Sequence, residues 1–284
     1  MVLSTSCDKH ISVSVRTVDP WYASRVDIHN VLAEHGIYCK VLVVVAEFKR
    51  VEEAPISYHI LKEYRKRVRD GKALVIFLLP SPSISVRVGS IFYSWLTRVV
   101  HEDLVDAIII VSHDKLTRLR GLSINGDIIG GFDVLGELVA TIVSNNSPFL
   151  NIASRLKDSK IWIAACLLGT NPSLYDDLAS MFKALELGGI IDPWIWEPSD
   201  LVLVMRTEPR LKLKYEDIIS AFNDWIKAKL KKPVNIMFDF SKTPIGSTGR
   251  VNMVLLERIQ EKEIDELIKR SEAAYKEHDV SAKT

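Results

Sequence analysis

The sequence predicts an α/β protein built from a parallel-sheet domain, a long central helix and a C-terminal α+β domain with a mixed sheet. Three observations predict it. β-Branched runs recur at Ile11 to Val15, Val41 to Ala46, Ala73 to Leu79 and Ala107 to Val111, and the last three are apolar without alternation, as in strands covered on both faces. Amphipathic stretches separate them, which is the order of right-handed βαβ crossovers. After about Asn151 the order changes, and two strands, Val234 to Phe240 and Val251 to Ile259, follow one another directly.

Each element has its own signal. Pro55 to Arg69 places Ile56, Ile60, Leu61, Tyr64 and Val68 on one helical stripe, and Gly89 to Val100 does the same with Phe92, Trp95, Leu96 and Val99. Asp127 to Ser144, "DIIGGFDVLGELVATIVS", reads as the central helix, and "NNSPFLN" after it is a turn cluster and a domain boundary. Beyond it come strand Ile161 to Leu168, helix Ser173 to Leu187, strand Leu201 to Arg206 and helix Tyr215 to Leu230. Glu261 to His278 keeps Ile264, Leu267 and Ile268 at helical spacing before a frayed end. The chain thus divides into residues 1–126, 127–150, 151–260 and 261–284.

Composition bounds the function. Apolar content of 48% and charged content of 26% describe a soluble globular protein. With 37 basic against 36 acidic side chains, no global charge draws the chain to nucleic acid or an anionic membrane. Cys7, Cys39 and Cys166 are odd in number and far apart, which speaks against a disulfide framework or a zinc site and fits a reducing cytoplasm. The N-terminus has no signal-peptide pattern, and no apolar run approaches the roughly 18 residues of a membrane span.

Local motifs are weak. None of the seven histidines forms H-E-x-x-H, and neither G-x-S-x-G nor a Walker loop occurs. Cys7 with His10 lacks further metal ligands. "KEYRKRVR", Lys62 to Arg69, reads as the solvated side of an amphipathic helix, and "PIGSTGR", Pro244 to Arg250, as a hairpin connection between two strands, with an anion-binding nest as the sharper alternative. "SPSIS", Ser81 to Ser85, follows a parallel strand at the sheet edge where ligands of open α/β folds bind, although ordinary turn chemistry explains it too. "DPWIWEPSD" sets Trp194 and Trp196 in a loop, either packed under it or exposed as interface anchors.

The element order resembles the tubulin/FtsZ family, and so do short stretches. "LVDAIIIVSHDKL", Leu104 to Leu116, is similar to the family's strand and Asn/His-Asp-Lys-Leu turn, and "ALVIFLLPSPSISVRVGSIFYSWL" to the strand, loop and helix before it. "GGFDVLGELVATI" resembles the start of the central helix, and "SDLVLVMRTEPRLKLKYEDIISAFNDWIKAKL" the strand and helix of the C-terminal domain. The resemblance spans roughly Val41 to Ile259 and makes residues 1–126 a reduced nucleotide-binding-type domain.

Against that family, four requirements of GTP hydrolysis fail. The glycine-rich signature should follow "VLVVVA", where this chain has "EFKRVEE". Glu52 and Glu53 there would neutralise the helix terminus that would otherwise attract phosphate, worth about 0.3–1 kcal/mol each. Only 40 residues precede the Val41 strand, too few for the family's further βα units. The base-contacting Asn at the start of the central helix aligns with Phe132, and the catalytic loop N-x-D-x-x-D aligns with "NIASRL", putting Ala153 and Leu156 at the acidic positions, with Asp158 recoverable by a shift.

The resemblance therefore implies a non-catalytic protein that has lost GTP binding, needs no cofactor and no metal, and acts in the cytoplasm by self-association or by binding a filament-forming relative, in cytoskeletal or cell-division work. Nucleic acid is not an expected partner. Interface candidates are Asn151, Arg155, Asp158, Trp194 and Trp196. In that reading Phe132 fills the empty cleft, and truncating it to Ala should cost about 3–5 kcal/mol. The alternative is a binding protein or enzyme for a ligand other than GTP, held in a remnant cleft by Glu47, Lys49, Glu52, Glu53, Ser81, Ser83 and Phe132.

Overall fold

The apolar runs of the first half form strands in a computed structural model of the chain, which describes residues 2–7, 10–15, 40–47, 53–79, 82–122, 128–143, 148–156, 160–189, 198–208, 211–242, 250–260 and 263–264. Two compact units make up the chain, the first from Met1–His113 with Leu150–Ile161 and the second from Asp114–Phe149 with Trp162–Thr284.

In the first unit β3 (Val41–Glu47), β4 (Lys72–Leu79) and β5 (Ala107–Ser112) form a parallel ladder, with Val44 opposite Val75 and Ile76 opposite Ile109. Nearly every residue of these strands is buried, which is why they read as continuous apolar runs. The ladder is extended by β1 (Val2–Cys7), which lies antiparallel between β3 and β2 (His10–Val15). Strand β1 is an addition to the predicted ones, because its serine-rich stretch carries little apolar signal.

The crossovers are α1 (Glu53–Arg67) and α2 (Pro82–His101). The predicted stripe of α2 is packed, with Phe92, Trp95, Leu96 and Val99 buried, and that of α1 is packed at Ile60, Leu61 and Tyr64, which Tyr58 joins, while Val68 lies past the helix end and is half-buried. Phe92 stacks on Phe77 of β4 at 4.1 Å between ring centroids.

Polar groups fasten the helices to each other. The Tyr58 hydroxyl donates to Glu102 at 2.7 and 2.8 Å, and Arg98 lies 4.1 Å over the Tyr58 ring. Hydrogen bonds from Tyr58 first, then Arg98, hold the Glu102 carboxyl down at about 2. Part of the basic run Lys62 to Arg69 is therefore structural: Arg65 donates to buried Asp106 at 2.8 Å and to the Leu104 carbonyl at 3.1 Å. Asp106 also accepts the Ala73 N–H at 2.7 Å and so pins the start of β4.

The second unit holds a sheet in the order β10 (Asn235–Lys242), β9 (Asp200–Thr207), β11 (Val251–Ile259), β8 (Ile161–Thr170), of which Ile161 belongs to the first unit. β9 pairs with β10 in parallel and with β11 antiparallel, which is the mixed sheet the sequence predicts. The hairpin reading of Pro244 to Arg250 is corrected: β10 and β11 flank β9 rather than pairing with each other. β9 reaches β10 through a helix, so β10 takes one side of β9 and leaves the other to β11.

One face of this sheet is covered by α6 (Leu178–Leu187) and α7 (Tyr215–Lys229), joined in one apolar cluster around Phe182, Phe222, Leu203, Met205, Met253 and Leu255. Helix α6 starts at Leu178 rather than Ser173. Asp177 accepts the Ser180 N–H at 2.7 Å as its N-cap, and a separate 3₁₀ turn, Pro172–Leu174, precedes it.

The other face takes α4 (Phe132–Val143), which packs Val134, Leu135, Leu138, Val139 and Ile142 inward. The helix begins later than its apolar pattern suggests, after a two-stranded ladder of β6 (Arg120–Leu122) and β7 (Ile128–Gly130). Gly131 at φ +56° makes the break, in the left-handed region that glycine enters without strain. Two short helices lie where the chain passes between units, α3 (His113–Arg118) and α5 (Pro148–Arg155).

Candidate functional site

Parallel strands point their carboxyl ends the same way, and the register brings Glu47 beside Leu78 and Leu79 beside Ser112 at one edge of the first unit's sheet. Helices α1 and α2, the two longer helices of this unit, both begin just beyond that edge, at Glu53 and Pro82. Helix N-termini carry partial positive charge and free N–H groups, so such an edge suits an anionic ligand. The two longer helices differ. The first residue of α1 is the acidic Glu53, whereas the first turn of α2 contains no acid.

Of the residues singled out from the sequence, Glu47 closes β3, Glu53 opens α1 and Ser83 lies in the first turn of α2, so these three share the sheet edge. Lys49, Glu52, Ser81, Asp158, Trp194 and Trp196 lie outside the described residues. Asn151 and Arg155 are exposed on α5, Ala153 between them is buried, and Leu156 is half-buried. Phe132 belongs to the second unit, at the first position of α4.

Phe132 departs from expectation. Its side chain is 54% exposed, so it fills no core cavity. Phe132→Ala is accordingly expected to cost about 1–2 kcal/mol in urea melts, because only about half of the side chain leaves water when this residue folds. A loss near the 3–5 kcal/mol of a core truncation would show that the ring is buried in solution.

Sequence reasoning passed over the charged residues inside the C-terminal strands. Arg206 on β9, Asp239 on β10 and Glu257 on β11 are 6%, 5% and 2% exposed. Their only sequence signal is a charge inside an apolar run such as "LVLVMRT". Among the described residues no group of three or more His, Cys, Asp or Glu could hold a metal. No described helix is long and apolar enough to cross a membrane. Cys166 is buried, and burial pushes its thiol up to about 12, so it is no nucleophile at neutral pH.

No protein-family model and no curated protein matches the sequence. The structure does match solved ones. CetZ from Methanosaeta thermophila superimposes with a TM-score of 0.59 at 13% identity, over 93% of this chain and 72% of that one. CetZ1 from Haloferax volcanii, solved as a GDP-bound monomer, gives 0.60 at 15% identity over 90% and 78%. CetZ2 from the same organism, solved as a GTPγS-bound protofilament, gives 0.59 at 16% over 90% and 77%. These neighbours overturn the expectation of a non-enzyme. Two of them were solved with guanine nucleotide bound.

Proposed function

Since the chain has the tubulin/FtsZ-like fold, we propose that it is an assembling subunit that stacks on copies of itself and takes a guanine nucleotide at the carboxyl edge of β3, β4 and β5. The placing of the N-termini of α1 and α2 at that edge carries this reading, because a diphosphate or triphosphate finds N–H donors and positive dipole ends there. Without glycine between Glu47 and Glu53, and with Glu53 opening α1, the phosphates are gripped mainly by α2, whose first turn is free of acid. Nucleotide affinity is therefore lower than a glycine-rich loop would give.

Self-association is supported by the protofilament in which CetZ2 was solved. The surface that stacks includes exposed Asn151 and Arg155 on α5. The setting is the cytoplasm, and the process is cytoskeletal or related to cell division. The binding of a filament-forming relative follows from the same stacking surface.

Titration of the purified protein with GTP and GDP in a calorimeter, magnesium present, tests the ligand. Sedimentation of the same samples tests assembly. Saturable heat together with polymer in GTPγS is the expected result. No heat up to millimolar nucleotide would remove nucleotide from the reading, and a monomer at every concentration would remove assembly.

A further inference from the structure

The face of the second unit's sheet beneath α4 carries a row of polar side chains. Residues 200, 202, 204 and 206 of β9 alternate onto this face, opposite the face occupied by Leu203 and Met205. The register sets Asn252 of β11 directly beside Arg206, and the parallel pairing puts Asp239 of β10 on the same face.

Asn252 is fully engaged. Its amide oxygen accepts the Gly169 N–H at 2.6 Å, and its amide nitrogen donates to Thr141 at 3.2 Å and, weakly, to Glu137 at 3.4 Å, one turn apart on α4. Asp239 accepts the Phe149 N–H at 3.1 Å. Phe149 packs edge-on against Trp162 and is the last residue before the chain leaves this unit.

Arg206 is the exception. Its guanidinium is buried, yet Nε and Nη2 have no hydrogen-bond partner. Burial brings its pKa down to about 10, and the charges of Glu137 and Asp239 oppose that. Buried donors left unmade are costly, so the arrangement asks for an acceptor. Of the two carboxylates whose charges act on Arg206, Glu137 acts more strongly, and it now reaches Asn252 only loosely. Asn252 and Arg206 are neighbours across one strand spacing, about 4.8 Å.

We propose that α4 has a second seat on this sheet, in which Glu137 closes onto Arg206, and that Arg206 thereby reports the position of α4 to the first turn of α5. Glu137 and Asp239 compete for one guanidinium. In the seat described here, Arg206 supports the Asp239 charge, and Asp239 holds the Phe149 N–H. When Glu137 takes Arg206, Asp239 loses that support and its grip on Phe149 weakens. The device acts where the chain crosses from one unit to the other, and it does not depend on the nucleotide reading.

Hydrogen exchange of residues 148–155 in the full-length protein tests it. The Glu137 carboxylate bonds to Asn252 and the Phe149 N–H to Asp239, so a merely structural Glu137 leaves that segment alone. Removing the competitor in Glu137→Gln is expected to slow exchange there by about fivefold or more, while the urea midpoint barely moves. Asp239→Asn is expected to speed exchange at the same amides. In Arg206→Met the effect of Glu137→Gln should vanish, because the shared group is gone. Exchange in Glu137→Gln within twofold of wild type overturns the proposal, and so does a Glu137→Gln effect that persists in Arg206→Met. Should Arg206→Met not fold, the Glu137→Gln result decides alone.

Discussion

Phe222→Ala is expected to destabilise the second unit by about 3–5 kcal/mol, among the largest effects of any single truncation in this chain. Phe222 lies on α7 with 0% exposure, and its ring meets Phe182 at 5.1 Å edge-on, Trp225 at 5.6 Å and Phe238 at 5.8 Å. It therefore joins α6 and α7 to each other and to the edge strand β10. Removing the ring takes away apolar burial and leaves a cavity that three aromatic neighbours are too rigid to fill. Phe222→Leu keeps most of the volume and should cost less than half as much. Urea melts followed by circular dichroism would measure both. Equal, small losses would mean that the helix layer repacks freely.

The second large effect is one of pH. Glu257 is 2% exposed on the same side of β11 as Met253 and Leu255, and its Oε1 has no hydrogen-bond partner. Burial first, then the charge of Glu263, pushes its carboxyl up to about 8, from an ordinary value of 4.5. The folded protein thus keeps a proton that the unfolded chain releases near pH 4.5. Between that pH and about 8 the folded state binds more protons, so this group's contribution to stability falls as pH rises through the window and is flat above it.

The cost accumulated by pH 9, about 3.5 pK units at roughly 1.4 kcal/mol each, is on the order of 5 kcal/mol. Glu257→Gln cannot titrate. It should match the wild type near pH 4.5 and exceed it by roughly that amount at pH 9, with a flatter profile between, as read from urea midpoints. Parallel pH profiles for the two proteins would show that Glu257 is already ionised when folded.

Much of the fold was legible because burial leaves a periodic trace. Strands β3, β4 and β5, covered on both faces, had to be apolar at consecutive positions, and the stripes of α1 and α2 had to recur at helical spacing. The candidate site was legible only in outline. Glu47, Glu53 and Ser83 fall at one sheet edge because a parallel ladder forces them there. Phe132 was misjudged for the opposite reason, since a helix terminus has no neighbouring turn to reveal whether its first side chain is covered.

The type and order of the longer elements, the parallel ladder of β3, β4 and β5 and the mixed sheet of the second unit were written in the sequence, because they follow from local periodicity and from the length of connections. Tertiary structure alone decided that β9 would separate β10 from β11, and that Arg206, Asp239 and Glu257 would lie buried on the strands they interrupt. The physical reason is that alternation tells which face of a strand a residue occupies, but not what covers that face. A charge on either face of this sheet has its pKa, its partners and its cost set by groups that come from other parts of the chain.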